Sequence, residues 1–535
     1  MNSIEEKNNF VNIEKIAIFA IVIIIGIVIR FVVFPFDLPI YQDGEVYFWY
    51  ANDMSNTGNF PESENLSFPN NLWPIILAGF FALFSSNNFI DYMTLQRIVT
   101  IALSVVTTIP IFFLCRHFVE DKYAIIGAGL FLFEPRLIQS SINGLTEPLF
   151  ILLGTLSLVL FLNNRMIFIY SSFIVLALFV LTRYEGLVLI IPFSIMFIWK
   201  FRKKKKNLIH LLVCLSIFFI IIFSVDEIRH QSSDEPPKIS KHFESAFIHY
   251  ESPKKIVGEV CHDVTDELCA EYQASENLLF SVLSNATINL IKYYAWFTVP
   301  LFFILIPYGI YKIFSKRSFE KNTMILCTVF MLLPAFYAFS RDFEDMRYFF
   351  FQIPFLCILG AISLELLGKK VRKEKLLVYT IIPIIIFSSL IFFYDQMSID
   401  YEYEREYFEI AKKIDSEMKV INDIDPVDNY IRSAKIASLD EFPVLRDSFE
   451  LRSLQVIKIQ GFDSLEKLLE HGMERDLEYL IVDQDGDRVP YMSEIFKNEN
   501  KFPFLTKTYD STDYGLKYHV KFFKIDYLLF EEYYG

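Results

Sequence analysis

Residues 187–225 read LVLIIPFSIMFIWKFRKKKKNLIHLLVCLSIFFIIIFSV. They form two apolar runs joined by a basic loop at 200–206. The second run is close to the roughly 20 residues that a helix needs to cross the hydrocarbon core of a bilayer. Lysine and arginine collect in the cytoplasmic loops of membrane proteins. The stretch therefore predicts two membrane spans that are joined on the cytoplasmic side.

Two further basic connections, 312–321 and 368–375, orient the chain in the same way. No small-residue cleavage site follows the first apolar run, so we expect that run to be retained as a span. The apolar runs predict eleven spans, near 16–36, 95–115, 122–138, 148–163, 166–182, 186–200, 207–225, 290–311, 323–339, 348–367 and 376–394.

One more apolar run, LWPIILAGFFALFS at 72–85, is too short to cross comfortably and has Pro74 near its start. We expect it to lie in the membrane interface or to dip back. The amino terminus is then cytoplasmic and the region 37–94 is external. If the run crossed instead, Asp43 would lie on the cytoplasmic side.

The composition supports a polytopic membrane protein. Of the 535 residues, 53% are hydrophobic and 17% aromatic, and they come in long blocks. The formal net charge of −14 at pH 7 argues against a nucleic-acid partner, because phosphate binding requires clustered Lys and Arg on an accessible face. No serine nucleophile elbow, P-loop or HExxH motif supports a peptidase or a nucleotide-hydrolysing enzyme.

Hydropathy falls after residue 395, where mixed charge and short apolar runs begin. Residues 403–418 are typical of an amphipathic helix, and 477–482 and 520–525 of strands. We predict a transmembrane domain at 1–395 and an extracytoplasmic α/β domain at 396–535. The acidic stretch 483–487 lacks the spacing of a calcium loop and is interpreted as a turn.

Two of the six cysteines, Cys261 and Cys269, lie in one polar external loop. A local disulfide between them is the prediction for an oxidising compartment. The alternative is a metal site with His242, His249 and His262, although their spacing is not compact.

Ionisable residues stand near the external ends of the predicted spans. Such charges usually face the bundle interior or a wet cavity. For Arg30 and Arg97 we expect snorkelling or helix capping. The mixture of the others predicts a polar cavity at the outer leaflet that binds an anionic headgroup. The full set is Arg30, Arg97, Glu134, Arg136, Glu147, Arg183, Glu185, Arg341 and Arg347.

The first external region opens with YQDGEVY at 41–47, and it is here that we place the chemistry. The region contains no histidine, so a catalytic base here would be a carboxylate. Gly44 would allow the backbone to turn tightly against a substrate. Glu45 shares the face of Asp43 if the stretch is extended and points away if it is helical. The alternative is an acidic loop cap after a membrane anchor.

The order of these features resembles the C-type (GT-C) glycosyltransferase superfamily, integral membrane enzymes that use polyprenyl-phosphate sugars, and most of all its protein-mannosyltransferase and aminoarabinose-transferase branch. The resemblance covers residues 1 to about 395. The expected fold is mainly α, a polytopic GT-C-type helical bundle of about 11 spans, followed by the α/β domain. The matching segments are DGEVYFWYA at 43–51, the run 72–85, LQR at 95–97, EPRLIQSSINGLTEPLF at 134–150, LTRYEGL at 181–187 and RYFFFQIPF at 347–355.

The resemblance implies roles for the acidic residues. Asp43 is implied as the general base of the first external loop. Glu147, and with a weaker match Glu134, is implied at the acidic position of the second loop. The superfamily often has adjacent Asp and Glu at the first position, whereas Gly44 separates them here. Glu45 is therefore left with two roles, binding the acceptor or capping a short helix.

The resemblance also implies that Arg183 and Arg347 lie near the donor phosphate, which a guanidinium can bind in a fork. The alternative is a pair of structural ion pairs, Arg183 with Glu185 and Arg347 with Asp345.

These roles describe transfer of a sugar from a polyprenyl phosphate to an acceptor hydroxyl, with inversion and no required cofactor. The acidic residues leave a divalent metal open. The acceptor is a glycan, a lipid or a protein, because the tail does not resemble the β-trefoil insert of eukaryotic protein mannosyltransferases. The expected location is the cell membrane, with the active site extracytoplasmic and membrane lipids as neighbours.

Two alternatives remain. A transporter or flippase for a lipid-linked or anionic substrate would collect similar charges, although the sequence shows no repeat symmetry. An oligosaccharyltransferase-like enzyme is the second. Residues 513–515, DYG, match the end of its WWDYG motif without the two tryptophans.

Overall fold

The computed structural model describes residues 13–33, 36–40, 43–60, 72–86, 88–203, 206–233, 278–315, 317–340, 345–371, 374–396, 401–422, 435–438, 455–458, 462–474, 477–484 and 489–534. Several predictions lie outside these residues. They are the disulfide between Cys261 and Cys269, its rival metal site, Arg341 and most of the acidic turn at 483–487.

Helices form almost all of the described chain up to residue 396. Two of them are 3-10 helices, Tyr184–Leu189 and Met346–Gln352. The α-helices are α1 (Ile13–Val33), α2 (Asp43–Thr57), α3 (Leu72–Leu83), α4 (Phe89–Arg116), α5 (Asp121–Leu132), α6 (Pro135–Ile142), α7 (Glu147–Leu162), α8 (Met166–Thr182), α9 (Ile190–Phe201), α10 (Asn207–Ser233), α11 (Leu278–Phe297), α12 (Ile306–Ser315), α13 (Phe319–Phe330), α14 (Leu332–Phe339), α15 (Ile353–Val371) and α16 (Glu374–Gln396).

The expected polytopic helical membrane protein is confirmed. Each of the eleven predicted spans contains helix. Four apolar helices among the described residues are shorter than a full crossing, so the number of crossings stays a prediction. Within the described residues, six segments are long and apolar enough to cross a membrane: Lys15–Val33, Phe89–Arg116, Tyr184–Phe201, Asn207–Arg229, Phe319–Phe339 and Met346–Val371.

Two predicted spans are interrupted by more than a single residue, and a proline stands at each of these interruptions. The span predicted at 122–138 ends with α5, because Pro135 keeps Glu134 extended and opens α6. The span predicted at 290–311 breaks between α11 and α12, where Pro300 has no backbone N–H to donate. Hydropathy is continuous across both sites and therefore misses the breaks.

The run 72–85 forms the helix α3, whose 12 residues reach only about 18 Å. That is well short of a hydrocarbon core of about 30 Å. The helix is thus as short as the sequence predicts, while its place in the membrane interface stays a prediction. One face of α3 is buried, through Trp73, Leu77 and Phe81 among others.

Helix α5 is enclosed by its neighbours, with residues 123–132 all buried. It packs against α1, α6, α15 and α16. At Gly127 the neighbours come especially close, since a Cβ there would stand 2.7 Å from the Cys115 sulfur and 3.3 Å from the Ala361 Cβ. Small residues allow membrane helices to approach this closely. The helix is thus a central element of the bundle.

Arg30 and Arg97 are fully buried, so the expectation that they snorkel is wrong. Arg30 donates to the Leu132 carbonyl and the Ser141 hydroxyl, each at 3.1 Å. Arg97 Nε donates to the Ile142 carbonyl at 3.1 Å. The last carbonyls of a helix have no intrahelical partners, and arginine donors satisfy them. The two arginines therefore fix the ends of α5 and α6.

The predicted cytoplasmic connections share one end of the bundle. Lys200, at the start of the basic loop, bonds the carbonyls of Phe161 and Asn163 at the end of α7. It also lies 4.9 Å from the ring centroid of Phe319, in the second basic connection. The connection between α9 and α10 therefore meets the one between α12 and α13.

The third basic connection reaches the same end through the loop between α4 and α5. Lys369 Nζ lies 3.6 Å from Glu120 in that loop, and His117 of the same loop interacts electrostatically with Lys200. Glu147 begins α7, so the 16 residues of this helix place it about 24 Å from that end. The basic loops and Glu147 thus occupy opposite ends.

The chain beyond residue 398 contains a five-stranded mixed sheet, so the predicted α/β fold of the tail is confirmed. The strand order is β2-β1-β3-β5-β4, with β1 parallel to β2 and β3, and β5 antiparallel to β3 and β4. The elements are α17 (Tyr401–Asn422), β1 (Lys435–Ser438), β2 (Gln455–Lys458), α18 (Leu465–Met473), β3 (Leu477–Asp483), α19 (Pro490–Lys497), β4 (Leu505–Asp510), β5 (Val520–Ile525) and α20 (Tyr527–Tyr534), with 3-10 helices at Glu499–Lys501 and Ser511–Tyr514.

Strand β3 shows how the sheet is covered on both faces. Tyr479 and Ile481 pack with Ile410 of α17, which is the amphipathic helix that the sequence predicts. Leu480 and Val482 belong to a second core with α18, α19 and α20. Successive side chains of a strand point to opposite faces, so this alternation builds a helix–sheet–helix sandwich.

The described residues form two compact units. The first, called the membrane unit, comprises the described parts of 1–34, 46–85 and 95–398. The second, called the C-terminal unit, comprises those of 35–45, 86–94 and 399–535. Within the C-terminal unit, Arg405 of α17 pairs with Asp37 at 3.0 Å, and Phe408 packs on Phe89. The described parts of 35–45 and 86–94 therefore belong to the same compact unit as the tail. The boundary 395/396 stays a prediction.

Candidate functional site

Three of the predicted site residues come together in the membrane unit. Glu147 Oε1 lies 2.9 Å from Arg183 Nη1 and 3.9 Å from Arg347 Nη1. The three belong to distant parts of the chain, at the start of α7, after α8 and in the 3-10 helix Met346–Gln352. One carboxylate thus links the two arginines for which the resemblance implies a role at the donor phosphate.

Each arginine also has a carboxylate of its own close in sequence. Arg183 Nε lies 2.5 Å from Glu185, and Arg347 Nε lies 2.6 Å from Asp345. These are the ion pairs that the structural alternative expects. The donor-binding roles of Arg183 and Arg347 therefore stay predictions.

Local backbone geometry places both arginines at helix boundaries. Arg183 is extended, with φ −152° and ψ 122°, and ends α8 before the 3-10 helix Tyr184–Leu189. Asp345 caps the 3-10 helix Met346–Gln352 by accepting from the Arg347 N–H at 2.8 Å. An aspartate at this position satisfies a backbone donor that has no partner within the helix. Each arginine therefore stands at the beginning of a 3-10 helix.

Glu147 is positioned by the turn that precedes it. Gly144 has φ +69°, a left-handed conformation that glycine adopts without a Cβ clash. Its carbonyl accepts from Trp73 Nε1 of α3 at 3.2 Å and from Gln96 Nε2 of α4 at 2.9 Å. Two other helices thus hold the turn. The sequence alone did not assign these roles to Trp73 and Gln96, although they lie in the matching segments 72–85 and 95–97.

The cluster is graded in burial. The Glu147 side chain is 1% exposed, Arg183 11% and Arg347 32%. Glu147 Oε2 has no hydrogen-bond partner within the described part of the chain. Arg347 is therefore the member of the three that a ligand in the surroundings meets most readily.

Aromatic rings flank Arg183. Its guanidinium lies 5.7 Å from the Phe150 ring centroid and 5.8 Å from that of Tyr348, within the range of cation–π attraction. Burial alone would lower the pKa of Arg183, but the carboxylates of Glu185 and Glu147 raise it, and the net shift is upward. The side chain therefore keeps the positive charge that phosphate binding requires.

Glu134 lies in a separate buried ion pair, with Arg136 at 2.9 Å. Its second oxygen accepts from the Leu137 N–H at 3.0 Å and so caps α6. Arg136 also donates to the carbonyls of Trp296 and Val299, at 3.1 and 2.8 Å. The Trp296 carbonyl also accepts from the Val299 N–H at 3.1 Å, and Pro300 has no N–H with which to continue the helix. Both side chains therefore stabilise local structure, Glu134 as a helix cap and Arg136 as a donor to backbone carbonyls. A role for Glu134 in the acidic site stays a prediction.

The stretch in which we place the chemistry is helical from Asp43 onward. Asp43 begins α2, and Gly44 is part of this helix, so the expected tight turn is wrong. Glu45, which is buried, stands about 200° around the helix from Asp43. The helical alternative for Glu45 is therefore the one observed. Both carboxylates lie in the first turn, where the helix dipole favours negative charge.

Comparisons with known proteins identify the fold. No protein-family model and no curated protein matches the sequence. The chain is similar to the Archaeoglobus fulgidus oligosaccharyltransferase in its apo form, with a TM-score of 0.59 and 13% identity, covering 91% of this chain and 71% of that one. It is also similar to ArnT from Cupriavidus metallidurans bound to undecaprenyl phosphate, with a TM-score of 0.56 and 11% identity, covering 94% and 97%.

A second crystal structure of the same oligosaccharyltransferase, in complex with zinc and sulfate, gives a TM-score of 0.54 and 13% identity over 90% of this chain and 71% of that one. At such low identity the likeness concerns the fold. The protein is therefore a membrane-spanning helical protein with the GT-C fold, as the order of its motifs predicts.

Proposed function

We propose that this protein is an integral membrane glycosyltransferase that moves a sugar from a polyprenyl phosphate to an acceptor hydroxyl. The observation that carries the proposal is the cluster of Arg183 and Arg347 around Glu147, at the end of a GT-C-fold bundle opposite the basic loops. A pair of partly buried arginines suits a phosphate at a lipid boundary, because guanidinium stays charged there and binds oxygens in a fork.

The reaction is a single displacement. The acceptor oxygen loses its proton to a carboxylate while it attacks the anomeric carbon, and the bond from that carbon to the phosphate oxygen breaks. The electron pair leaves with the polyprenyl phosphate, whose negative charge Arg183 and Arg347 stabilise. One displacement inverts the anomeric centre, so no covalent sugar–enzyme intermediate forms.

Asp43 is our proposed general base. It opens α2 in the same DGEVY stretch that carries the resemblance, and Tyr47 lies one turn later on the same helix face. Glu45 points away from Asp43 on α2, which supports a secondary role such as acceptor binding or helix capping.

We propose that the arginine cluster and the C-terminal unit are extracytoplasmic. The three basic connections share the opposite end of the bundle, and the positive-inside rule assigns that end to the cytoplasm. The related ArnT structure with undecaprenyl phosphate supports a polyprenyl carrier as the ligand.

The mechanism contains no metal step. The oligosaccharyltransferase structure with zinc shows that the fold accepts a metal. The catalytic groups that we propose are a carboxylate base and two arginines, and the acidic residues leave a divalent metal open.

The test is transfer by the purified full-length protein in lipid nanodiscs, with a panel of polyprenyl-phosphate sugars as donors. Glycan, lipid and peptide acceptors are offered in turn, including a peptide with an Asn-X-Thr sequon. The expected result is release of polyprenyl phosphate together with a glycosylated hydroxyl product. Glycosylation of the sequon asparagine would instead support the oligosaccharyltransferase alternative. Movement of lipid between leaflets without any transfer would support a flippase and overturn the proposal.

A further inference from the structure

The charge balance of the arginine cluster is unfavourable for a phosphate as it stands. Glu147, Glu185 and Asp345 place three carboxylates against the guanidinium groups of Arg183 and Arg347. With all five side chains ionised, the formal net charge of the cluster is −1. An incoming phosphate adds negative charge in a largely buried site, where like charges repel strongly. Binding therefore requires that one carboxylate yield its place.

The geometry distinguishes Glu147 from the other two carboxylates. Glu185 and Asp345 each hold the Nε of an arginine two residues away in sequence. Glu147 instead approaches the Nη1 atoms of both arginines with a single oxygen, Oε1. It is the shared anion of the cluster, in the position between two forks that a phosphate oxygen would take.

The second oxygen of Glu147 is consistent with this reading. Oε2 is buried and has no hydrogen-bond partner within the described residues. A carboxylate built only to fix the two arginines would be expected to have both oxygens satisfied, since an unpaired buried acceptor is unfavourable. Rotation of the Glu147 side chain thus gives up the arginine contacts without breaking a bond at Oε2.

On the basis of the proposed function, we propose that Glu147 is a built-in competitor of the lipid phosphate. Its carboxylate occupies the Nη1 groups of Arg183 and Arg347 in the ligand-free protein and yields them to the polyprenyl phosphate of the donor. It takes them back after transfer and so promotes release of the spent polyprenyl phosphate. Glu147 then acts through the arginines as a positioning residue, while the base is a different carboxylate.

The test measures binding of undecaprenyl phosphate to the full-length protein in nanodiscs. Glu147→Gln keeps the shape of the side chain and removes the competing charge. We expect it to bind undecaprenyl phosphate about 10-fold to 100-fold more tightly, each factor of ten being about 1.4 kcal/mol. The matched control is Glu365→Gln, which removes a carboxylate paired with Lys369 at the opposite end, and its affinity should equal that of the wild type.

A turnover measurement adds a second readout. Glu147→Gln should lower both KM for the donor and kcat, because the product leaves slowly. A residue that only maintains the fold would weaken binding when it is replaced, so tighter binding identifies competition. Unchanged or weaker binding by Glu147→Gln overturns the inference.

Glu147→Asp covers the case in which the glutamine variant does not fold. It withdraws the carboxylate by one methylene and should tighten binding about 3-fold to 10-fold, and unchanged or weaker binding contradicts competition. Arg347→Gln distinguishes a failure of the inference about Glu147 from a failure of the proposed function. If the wild type binds undecaprenyl phosphate and Arg347→Gln does not, the binding site stands and the Glu147 variants decide the inference. If the wild type does not bind it at all, the proposed function and the inference fall together.

Discussion

Replacing Arg136 by methionine tests whether the pair of Glu134 and Arg136 holds the bundle together. Methionine has a similar length and no charge, so the change removes the ion pair at 2.9 Å and the donors to the carbonyls of Trp296 and Val299. The Arg136 guanidinium also lies 5.1 Å from the Phe392 ring, a cation–π contact that would be lost.

The size of the effect follows from the burial of both partners. The side chains of Arg136 and Glu134 are 7% and 1% exposed. Removing one member of a buried pair leaves an uncompensated charge, which typically costs about 3–5 kcal/mol. We therefore expect Arg136→Met to lower the free energy of unfolding by about 3–5 kcal/mol. Arg116→Met is the control, because Arg116 pairs with Asp121 at a wetter site and should lose less than about 1 kcal/mol.

Buried cysteines provide the assay. Cys115, Cys214, Cys327 and Cys357 are buried and should react with a thiol-specific dye only when the bundle opens. Replacing Cys261 and Cys269 by serine removes the background from the external loop. Unfolding is then followed by titration with a denaturing detergent. A loss below about 1 kcal/mol for Arg136→Met, or equal losses for both variants, would refute the reasoning.

Four further outcomes are expected. Asp43→Asn should lower the transfer rate about 100-fold to 10,000-fold in the nanodisc assay, and a variant at the wild-type rate would remove Asp43 from the mechanism. Arg347→Lys keeps the charge but loses the fork, so KM for the donor should rise about 10-fold, and normal donor use would contradict phosphate binding. Gly144→Ala places a Cβ at φ +69° and should destabilise the protein by about 1–2 kcal/mol in the thiol assay, whereas an unchanged midpoint would show that the turn relaxes. Two lysines, whose Nζ atoms lie 2.8 and 2.9 Å from Glu499, lower the pKa of its carboxyl. The stabilising effect of the Glu499 carboxylate is therefore present above the ordinary carboxyl pKa of 4.5 and is lost as the pH falls below it. The protection factors of the β4 and β5 amides in hydrogen exchange should consequently depend less on pH in Glu499→Gln than in the wild type.

Long apolar runs made the class of the protein predictable. Hydropathy and the basic loops predict a helical membrane bundle, and the period-2 pattern of 477–482 and 520–525 predicts two strands that the structure contains as β3 and β5. Such patterns are local, and burial in lipid or on a sheet face imposes them residue by residue. Hydropathy and residue periodicity do not show where a helix breaks inside an apolar run.

The surroundings of the arginines show what a single sequence leaves open. Arg30 and Arg183 look alike in sequence, each next to an apolar run, yet Arg30 donates to a helix-end carbonyl and to serine hydroxyls while Arg183 pairs with two carboxylates. Apart from the pair of Arg183 with Glu185, these contacts join residues more than 30 positions apart. Likewise, the roles of Trp73 and Gln96 as donors to the Gly144 carbonyl require the tertiary structure.

The enclosure of α5 has a consequence for biosynthesis. Two of the helices that cover it, α15 and α16, begin about 220 and 240 residues after α5 ends. At about 5–20 residues per second, the ribosome needs roughly 10–40 s to make that intervening chain. During this interval the faces of α5 around Gly127 lie against lipid or a chaperone instead of their final neighbours. A chain truncated before residue 353 should therefore stay a substrate for membrane quality control, even though the helices α1 to α14 are already made.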